Sequence, residues 1–318
     1  MAMKNVKNVY PVRNQRFSNG ANYWQIDHRV EKVFGIKGVT VLPSLLAWDK
    51  FKWARPYFPR KPKEGYFVWV KKQVNSPLIT CITIASPKIS QNLTNLLVIE
   101  KNIKAKANVL CNAAKNNLYG SHLAQGRLVL KDGASLEYHH IHKWGQKDFV
   151  NPSYEFILGK NSQLIYNYEN LSPPQNLQLL TTIRAGQNSS SNINFVIRGS
   201  DHSKIEIKDA LYLDGQNSQG IVKLRLVGME NSEIEAKSLI FAKAPSKGHL
   251  DCQGLLVDKN AKISLMPELI CHNKKAQLTH EASIGKISEE ELTYLRMRGL
   301  SEKEAIDLIV SGFLTYTE

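Results

Sequence analysis

Cysteine is scarce in this sequence. The 318 residues contain only four, and no two of them have the close C-x-x-C spacing of metal ribbons or redox motifs. This excludes the small, disulfide-dense class of secreted domains, and four isolated thiols suit a reducing compartment better than secretion. The four are Cys81, Cys111, Cys252 and Cys271.

Long apolar runs are also missing. No stretch approaches the roughly 20 residues that an apolar helix needs to cross a bilayer. The N-terminal stretch MAMKNVKNVYPVRNQRF has no apolar segment of the kind that a secretory signal requires. We therefore expect a cytoplasmic protein that does not enter a membrane.

Three local signatures of catalysis are absent. The sequence has no G-x-x-x-x-G-K-[ST] loop for ATP, no G-x-S-x-G nucleophile motif and no H-E-x-x-H zinc helix. We therefore expect a protein without ATPase activity of its own. The chemistry must then lie in thiols, imidazoles and carboxylates that no familiar motif groups together.

Acidic residues are outnumbered by basic ones. The 28 Asp and Glu residues stand against 42 Lys and Arg, which gives a formal net charge of +14. One interpretation is a solvated, lysine-rich surface, and the other is an acidic partner such as nucleic acid. Basic residues are scattered along the chain, with only a local cluster from Lys52 to Lys72. We favour the solvated surface and do not expect nucleic acid as the partner.

Residues 1–65 have a mixed character. Tyr23 to Phe34 are predicted to form a short helix, and a segment rich in aromatic residues and proline follows. Aromatic side chains beside lysines can stack on nucleic-acid bases, but a core patch or an interface is the more frequent role, and we favour it. The residues of this segment are Trp48, Phe51, Trp53, Pro56, Tyr57, Phe58, Pro59 and Pro62.

From Tyr66 to about Leu278 the sequence is a succession of short strands separated by turns. A turn of Gly, Asn or Asp is followed by a small residue, a spacer and an aliphatic residue. Successive copies, counted from Ala105 to Ala261, begin 29, 28, 29, 12, 29 and 29 residues apart. Near-constant spacing is typical of a solenoid, in which each coil buries its faces by stacking on its neighbours. We predict a mainly β fold built on a right-handed β-helix; a β-sandwich would give no reason for the fixed spacing.

Two short helices are predicted after residue 287. Each begins with a serine three residues before a glutamate, the spacing of a capping box, and each is predicted to end at a glycine. Apolar residues at three- and four-residue spacing give each helix one face to bury. A unit this small must dock on its own domain or on another protein. The cap residues are Ser288, Glu291 and Gly299 for the first helix, and Ser301, Glu304 and Gly312 for the second.

The C-terminal string LTHEASIGKISEEELTYLRMRGLSEKEAIDLIVSGF resembles the signature of the SufB/SufD family of iron–sulfur cluster assembly scaffolds. The shared motifs are His-Glu-Ala, Tyr-Leu-x-x-Arg-Gly and the closing Gly-Phe. The similarity continues upstream through GHLDCQGLLV and MPEL, and more loosely to about residue 90. The length resembles the short, single-subunit form of the family. We divide the chain into a mixed region (1–65), a β-helix core (66–280) and a helical docking segment (281–318).

The resemblance implies a scaffold subunit and not an enzyme. It would build a transient iron–sulfur cluster, of the 4Fe–4S type, beside a SufC-like ATPase and transfer it to apo iron–sulfur proteins. The C-terminal helices resemble the part of the family that docks this ATPase. The residues expected to form the docking surface are Tyr294, Leu295, Arg298, Gly299, Ala305, Ile309 and Phe313.

Candidate cluster ligands also follow from the resemblance. Iron–sulfur clusters are held mainly by cysteine thiolates, with histidine as an occasional substitute, and weaker ligands would help a scaffold to release its cluster. Cys252, His280 and Glu281 match family positions, and His272 falls where short members carry a histidine. Cys271 and His142 are further candidates.

Each candidate also has an interpretation without a ligand role. Cys252 could be a small buried apolar residue, which is the commonest fate of a free cysteine. His280 and Glu281 could make a structural hydrogen bond where the strands meet the helices. His140 and His142 share one strand face, a spacing that could bind metal, although we favour a stacking or capping role for His142. Cys111 and Cys81 are predicted to be structural, with Cys111 pointing into the core.

Two departures from the longer SufB proteins matter for these candidates. Those proteins carry a cysteine thought to hold cluster where this chain has Ala261, and a cysteine implicated in receiving sulfur aligns near Thr182. Both absences direct attention to Cys252, His280 and Glu281. A twofold homodimer would present each of them twice across one interface, and pairing with a SufB/SufD paralogue is the other arrangement.

A second class of function stays open from the fold alone. β-Helices also occur in enzymes and binding proteins that act on acidic polysaccharides, and a basic surface suits such a polymer. The absence of a visible secretory signal and the shortage of acidic residues for a catalytic groove count against this alternative.

Overall fold

The structure is a computed structural model that describes residues 20–315. The N-terminal stretch that bears on a secretory signal therefore lies outside the described residues. Strands dominate the described part. They are β1 (Asn22–Ile26), β2 (Arg29–Phe34), β3 (Val39–Pro43), β4 (Tyr66–Val70), β5 (Leu78–Ile84), β6 (Ser90–Ile99), β7 (Lys104–Ala113), β8 (Ser121–Leu130), β9 (Ser135–Lys143), β10 (Phe149–Leu158), β11 (Gln163–Ser172), β12 (Asn176–Ala185), β13 (Ser190–Gly199), β14 (Lys204–Leu213), β15 (Ser218–Gly228), β16 (Glu233–Ala242), β17 (Ser246–Leu256), β18 (Lys262–Cys271) and β19 (Gln277–Lys286).

Helices occur only near the two ends of the described part. None of these described helices is both long and apolar enough to cross a bilayer. They are α1 (Ser44–Lys50), a 3₁₀ helix (Lys52–Tyr57), α2 (Glu289–Met297) and α3 (Glu302–Leu314).

The strands form two sheets that run the length of the molecule. Sheet A holds β2, β1 and every odd-numbered strand from β5 to β19, and sheet B holds β3 and every even-numbered strand from β4 to β18. Strands one coil apart pair in parallel, as Leu164 does with Ser191 and Asp209 with Ser238. The chain passes between the sheets for about eight turns. The predicted mainly β solenoid is confirmed.

The irregular interval of 12 residues in the repeat has a structural cause. The copies from Ala105 to Ser191 lie at the starts of odd strands of sheet A, whereas the copies from Ser203 onward precede even strands of sheet B. The strongest turn signal therefore moves from one corner of the coil to the other. The length of a coil is unchanged.

Alternate side chains of each strand fill the space between the sheets. In β14, Ile205 and Ile207 are buried while Glu206 between them reaches toward solvent, because successive side chains of a strand point to opposite faces. In the middle coils the interior holds a stack of aromatic rings with centroids 4.7 to 6.0 Å apart. The stack consists of Tyr138, Phe156, Tyr166, Tyr168 and Phe195.

Asparagines at one corner of successive coils form a hydrogen-bonded ladder. Asn161, Asn188 and Asn217 have left-handed φ angles of 55°, 55° and 58°, which the short polar side chain of asparagine tolerates. The amide of Asn188 donates to Oδ1 of Asn161 at 3.1 Å, and that of Asn217 to Oδ1 of Asn188 at 3.2 Å. The ladder explains why asparagine recurs at the spacing of the coil.

The N-terminal end of the solenoid begins with a hairpin, so the predicted helix over Tyr23 to Phe34 is wrong. β1 pairs antiparallel with β2 and parallel with β5. Asp27 takes a left-handed φ of 53° in the turn between β1 and β2. Tyr23 and Gln25 are buried, and their alternate positions are those of a strand with one face on the core.

The aromatic segment that follows packs on the outer face of sheet B. The Trp53 ring lies 4.6 Å from that of Trp69, and the Phe51 ring lies 5.7 Å from that of Phe67, measured between centroids. Phe58 is buried in the same cluster. The interpretation of this segment as a core patch is confirmed.

The C-terminal end of the solenoid is built differently. β18 and β19 form its last coil and are the end strands of their sheets. The strands were expected to end near Leu278, which is wrong: β19 continues to Lys286. The last coil therefore carries a full-length strand in each sheet.

Both predicted capping boxes are present. In each, the serine side chain accepts from the backbone of the glutamate three residues on, and that glutamate accepts from the serine backbone. Gly299 has a left-handed φ of 92° just after α2, as predicted. α3 passes the predicted end at Gly312 and stops at Leu314, because Phe313 and Leu314 pack on the apolar cluster that anchors the helix.

Candidate functional site

The candidates Cys252, His280 and Glu281 lie on two neighbouring strands at the C-terminal end of sheet A. β17 carries Cys252 and β19 carries the other two. His280 is the register partner of Leu250, and Ala282 is the partner of Cys252. Leu250 is fully buried, whereas His280 and Glu281 are exposed, because no further coil within residues 20–315 covers them. His280 thus lies in register with a side chain of the solenoid interior, but on the last strand of sheet A, where the interior is open to solvent.

Cys252 itself is buried, with 1% of its surface exposed. Burial, with the nearby Asp209 carboxylate as a second cause, raises the pKa of its thiol to about 12, while the Ser238 side chain acts in the opposite direction. Ser238 donates to Oδ1 of Asp209 at 2.7 Å, and both residues are buried. In this conformation the thiol is therefore protonated. A metal ion would have to displace its proton, as it does from any coordinating thiol.

His272 and Cys271 lie at the end of β18. The His272 ring packs on the Phe241 ring with centroids 4.7 Å apart. Cys271 is exposed, and its thiol donates to the Asn273 carbonyl at 3.2 Å. Both side chains are accessible, but no hydrogen bond within the described part of the chain joins either to Cys252, His280 or Glu281.

Within residues 20–315, one set of His, Cys, Asp or Glu donor atoms is compact enough to hold a metal ion, and it is not the terminal set. Donor atoms of Cys111, His122 and His142 all lie within 4.8 Å of one another. Of the predicted candidates, His142 alone belongs to this set. The others do not converge within one chain.

This inner cluster lies between the sheets, far in sequence from the terminal coil. Cys111 is the register partner of His142 on the neighbouring strand of sheet A, and His122 reaches it from β8 of sheet B. His140 Nε2 lies 2.9 Å from His142 Nε2 and 3.7 Å from Cys111 Sγ. Cys111 is buried as predicted, but with imidazoles and not only aliphatic groups around it.

Burial dominates the protonation of the inner cluster. It lowers the pKa of His122 and of His140 to about 3 and that of His142 well below its usual value. It also raises the pKa of the Cys111 thiol above its usual range. All three imidazoles are therefore neutral at physiological pH.

The spacing of the coil repeat relates some members of the inner cluster to each other. Cys111 and His142 occupy equivalent places in adjacent coils, and so do Gln91 and His122. With the coil length known, each pair can be aligned. Which residues of sheet B face which residues of sheet A depends on the register between the sheets, and the repeat does not specify it.

The C-terminal helices offer an exposed surface. α2 has no buried residue, and Tyr294 and Met297 are 54% and 75% exposed. The Arg298 guanidinium donates to the Tyr294 hydroxyl at 3.3 Å and lies over its ring. Met297 and Leu300 help to line a groove of about 470 Å³ between α2 and α3.

Part of the predicted docking set faces the other way. Ala305 is fully buried in α3, the helix that packs against β15. Ile309 and Phe313 pack on the apolar cluster of Val227 and Leu255. α3 thus uses its apolar face to hold itself on the solenoid, and the docking role of Ala305, Ile309 and Phe313 stays a prediction.

A model of the SUF system FeS cluster assembly SufBD core domain matches residues 82–313, which is more than half of the chain. The chain belongs to the SufBD family. The resemblance seen in its sequence is thereby confirmed, and the matched segment contains both the inner cluster and the terminal coil.

Similarity to individual SufBD proteins covers most of the chain. It is 30% identical over 302 residues to an iron–sulfur cluster assembly SufBD family protein of Methanothermobacter thermautotrophicus strain Delta H, covering 88% of this chain and 74% of that protein. It is 29% identical over 296 residues to an iron–sulfur cluster assembly SufBD family protein of Archaeoglobus fulgidus, and this match covers 87% of this chain and 79% of that protein. The chain spans 59% of the relative from strain Winter.

Proposed function

We propose that this SufBD chain is a scaffold subunit on which an iron–sulfur cluster is built and from which it is transferred, in the cytoplasm, together with a SufC-like ATPase. The observation that carries the proposal is the uncovered last coil. It presents His280 and Glu281 to solvent one strand away from Cys252, within the segment that defines the family.

Cys252, His280 and Glu281 are the proposed ligands of the cluster, which is cargo and not a resident cofactor. Thiolate and imidazole are donors known in iron–sulfur sites. The buried, protonated thiol of Cys252 holds cluster only after iron has replaced its proton. An imidazole and a carboxylate at the surface complete a site from which iron can leave more readily than from four thiolates.

A single chain does not bring enough of these donors together, so we propose that two chains share the cluster. β18 and β19 each present an edge of ten residues with no strand of the described chain beside it, and such edges pair readily with another chain. Met266 on β18 and Ile284 on β19 are 38% and 44% exposed there. A twofold pairing would cover these side chains and double every ligand across the interface.

The partner ATPase is proposed to dock on α2 and the groove beside it. Tyr294, Met297 and Leu300 supply apolar surface there, and Arg298 supplies a charge held in place by Tyr294. Tyrosine and arginine are frequent anchors of protein interfaces. Hydrolysis would come from the partner, since this sequence has no phosphate-binding loop. α3 would transmit the motion of the ATPase to β15, on which it packs.

Anaerobic reconstitution with ferrous iron and sulfide tests the proposal. We expect the wild-type chain to take up iron and acid-labile sulfide in equal amounts, and we expect Cys252→Ala to take up neither. Cys81→Ala is the matched control, because it removes a partly buried thiol of the same sheet. Full cluster loading of Cys252→Ala would remove Cys252 from the site.

A further inference from the structure

The inner cluster lies where a polar group is costly unless it is satisfied. Cys111, His122, His140 and His142 are each at most 1% exposed. Three of them come from β7 and β9 of sheet A, and His122 comes from β8 of sheet B. The cluster therefore spans the interior from one sheet to the other.

The hydrogen bonds of His122 determine which of its nitrogens has a free lone pair. Its Nδ1 lies 2.8 Å from Oε1 of Gln91. An amide oxygen only accepts, so Nδ1 carries the proton and Nε2 does not. Nε2 is buried and has no hydrogen-bond partner in the described part of the chain. An imidazole fixed in this way by an acceptor on its other nitrogen is the usual arrangement of a metal ligand.

His142 is held in a similar way. Its Nδ1 lies 3.0 Å from the hydroxyl of Tyr168, and its Nε2 lies 2.9 Å from Nε2 of His140. Nδ1 of His140 has no partner in the part of the chain that the structure describes. In the contact between the two Nε2 atoms one nitrogen therefore carries the proton and the other supplies the lone pair.

The spacing of the donor atoms is close to that of a tetrahedral site. With metal–nitrogen bonds of about 2.0 Å and metal–sulfur bonds of about 2.3 Å, ligand atoms lie roughly 3.3 to 3.6 Å apart. The set formed by Cys111, His122 and His142 lies within 4.8 Å, and His140 Nε2 is 3.7 Å from the Cys111 sulfur. Small side-chain rotations would bring these atoms onto one ion.

We propose that Cys111, His122 and His142, with His140 as the fourth donor, form a buried site for one divalent first-row transition ion of the zinc or ferrous class. Imidazole and thiolate are the ligands that these ions prefer. The buried Nε2 of His122 has no hydrogen-bond partner among the described residues, so it need not give up a hydrogen bond to bind the ion. A bound cation would also stabilise the Cys111 thiolate.

The ion would act as a clamp between the two sheets. Bonds to one metal ion would join β7 and β9 of sheet A to β8 of sheet B. These strands are remote in sequence from the terminal coil. The site shares no residue with the set of Cys252, His280 and Glu281. It is therefore independent of the proposed scaffold function, and a Cys252→Ala variant should retain the ion.

Metal analysis of the full chain tests this site. The chain is expressed in minimal medium with added zinc or added iron, purified anaerobically over a chelating resin, and analysed for metal and acid-labile sulfide. We expect one metal ion per chain without sulfide in the wild type. Cys111→Ser and His122→Gln should lower the metal content by about tenfold or more. Cys81→Ser and His139→Gln are matched controls at partly exposed positions of β5 and β9 and should keep the ion.

A second measurement uses the wild type alone, in case a buried variant does not fold. The chain is refolded with cobalt(II) as the probe. We expect the intense visible bands of tetrahedral cobalt and a thiolate-to-cobalt band in the near ultraviolet. Wild-type protein with only trace metal and no tetrahedral cobalt spectrum would overturn the proposal. Equal metal content in the wild type and in Cys111→Ser would show adventitious binding and would overturn it too.

Discussion

The carboxyl group of Asp209 is buried in the solenoid, and its Oδ1 accepts a hydrogen bond from the Ser238 hydroxyl. Its Oδ2 has no partner among the described residues. Burial raises the pKa of Asp209 to about 7, whereas an aspartate in an unfolded chain has a pKa of about 3.9. The group lies near Cys252 and contributes to the high pKa of that thiol.

This difference in pKa makes stability depend on pH. The folded chain holds the Asp209 proton more tightly than the unfolded chain, so the contribution to stability is complete below about pH 4 and is lost as the pH rises to about 7. We predict that Asp209→Asn has the same free energy of unfolding as the wild type at pH 4. At pH 8 it should be more stable by on the order of 2–4 kcal/mol.

Chemical denaturation at the two pH values measures this effect. Asp307→Asn, at an exposed position of α3, controls for the loss of one negative charge. A gain in stability of equal size at pH 4 and pH 8 would mean that the carboxylate is not what destabilises the folded state.

At the scale of the element, the asparagine ladder fixes one corner of the coils. Asn188 is its middle member and combines a left-handed φ with two side-chain hydrogen bonds. We predict that Asn188→Ala lowers the free energy of unfolding by about 2–3 kcal/mol, because alanine is disfavoured at this φ and the bonds are lost. Asn188→Gly loses the same hydrogen bonds, but glycine adopts a left-handed φ without strain. This substitution should therefore lower the free energy of unfolding by less. An equal cost for both substitutions, measured by urea denaturation, would contradict the role of φ.

The two capping boxes have different consequences because the helices pack differently. α3 buries Ala305 and Val310, whereas α2 buries nothing. We predict that Ser301→Ala costs about 1 kcal/mol and speeds amide hydrogen exchange in α3 about fivefold. Exchange in β14 to β16 should be unchanged. Ser311→Ala, on the exposed side of the same helix, should leave exchange in α3 at the wild-type rate, and an equal acceleration by both would exclude a capping effect.

What the sequence revealed about these elements depends on the range of the interactions. The sequence predicts the caps at Ser288 and Ser301 because each depends on two residues three positions apart. It predicts the coil repeat because equivalent residues recur at the length of one coil. The hairpin from Tyr23 to Phe34 was misread as a helix, since its partner β5 lies far along the chain. The contact of His122 with Cys111 joins opposite sheets, and no pattern in the sequence records that register.

At the scale of the whole molecule, the solenoid has two unlike ends. A hairpin and an aromatic cluster cover the first coils, whereas the last coil exposes its edges and two of the proposed ligands, His280 and Glu281, to solvent. α3 then places α2 beside the same end, on the outside of β15. The proposed cluster site and the proposed ATPase surface are therefore both reached through the C-terminal part of the chain.

The exposed side chains of α2 give a test of ATPase docking that leaves the fold intact. We predict that the double substitution Tyr294→Ala and Met297→Ala weakens co-purification with a SufC-like ATPase at least about tenfold, as loss of interface anchors does. Leu180→Ala is the control, because Leu180 is 43% exposed on β12, away from the helices. Undiminished co-purification of the double variant would place the ATPase elsewhere.

Native mass spectrometry of the anaerobically reconstituted chain decides whether two chains share one cluster, because it counts chains and clusters in the same particle. We expect a particle of two chains with one cluster, which Ile284→Lys on the edge strand β19 converts to cluster-free single chains. A single chain that carries a complete cluster on its own would rule out sharing.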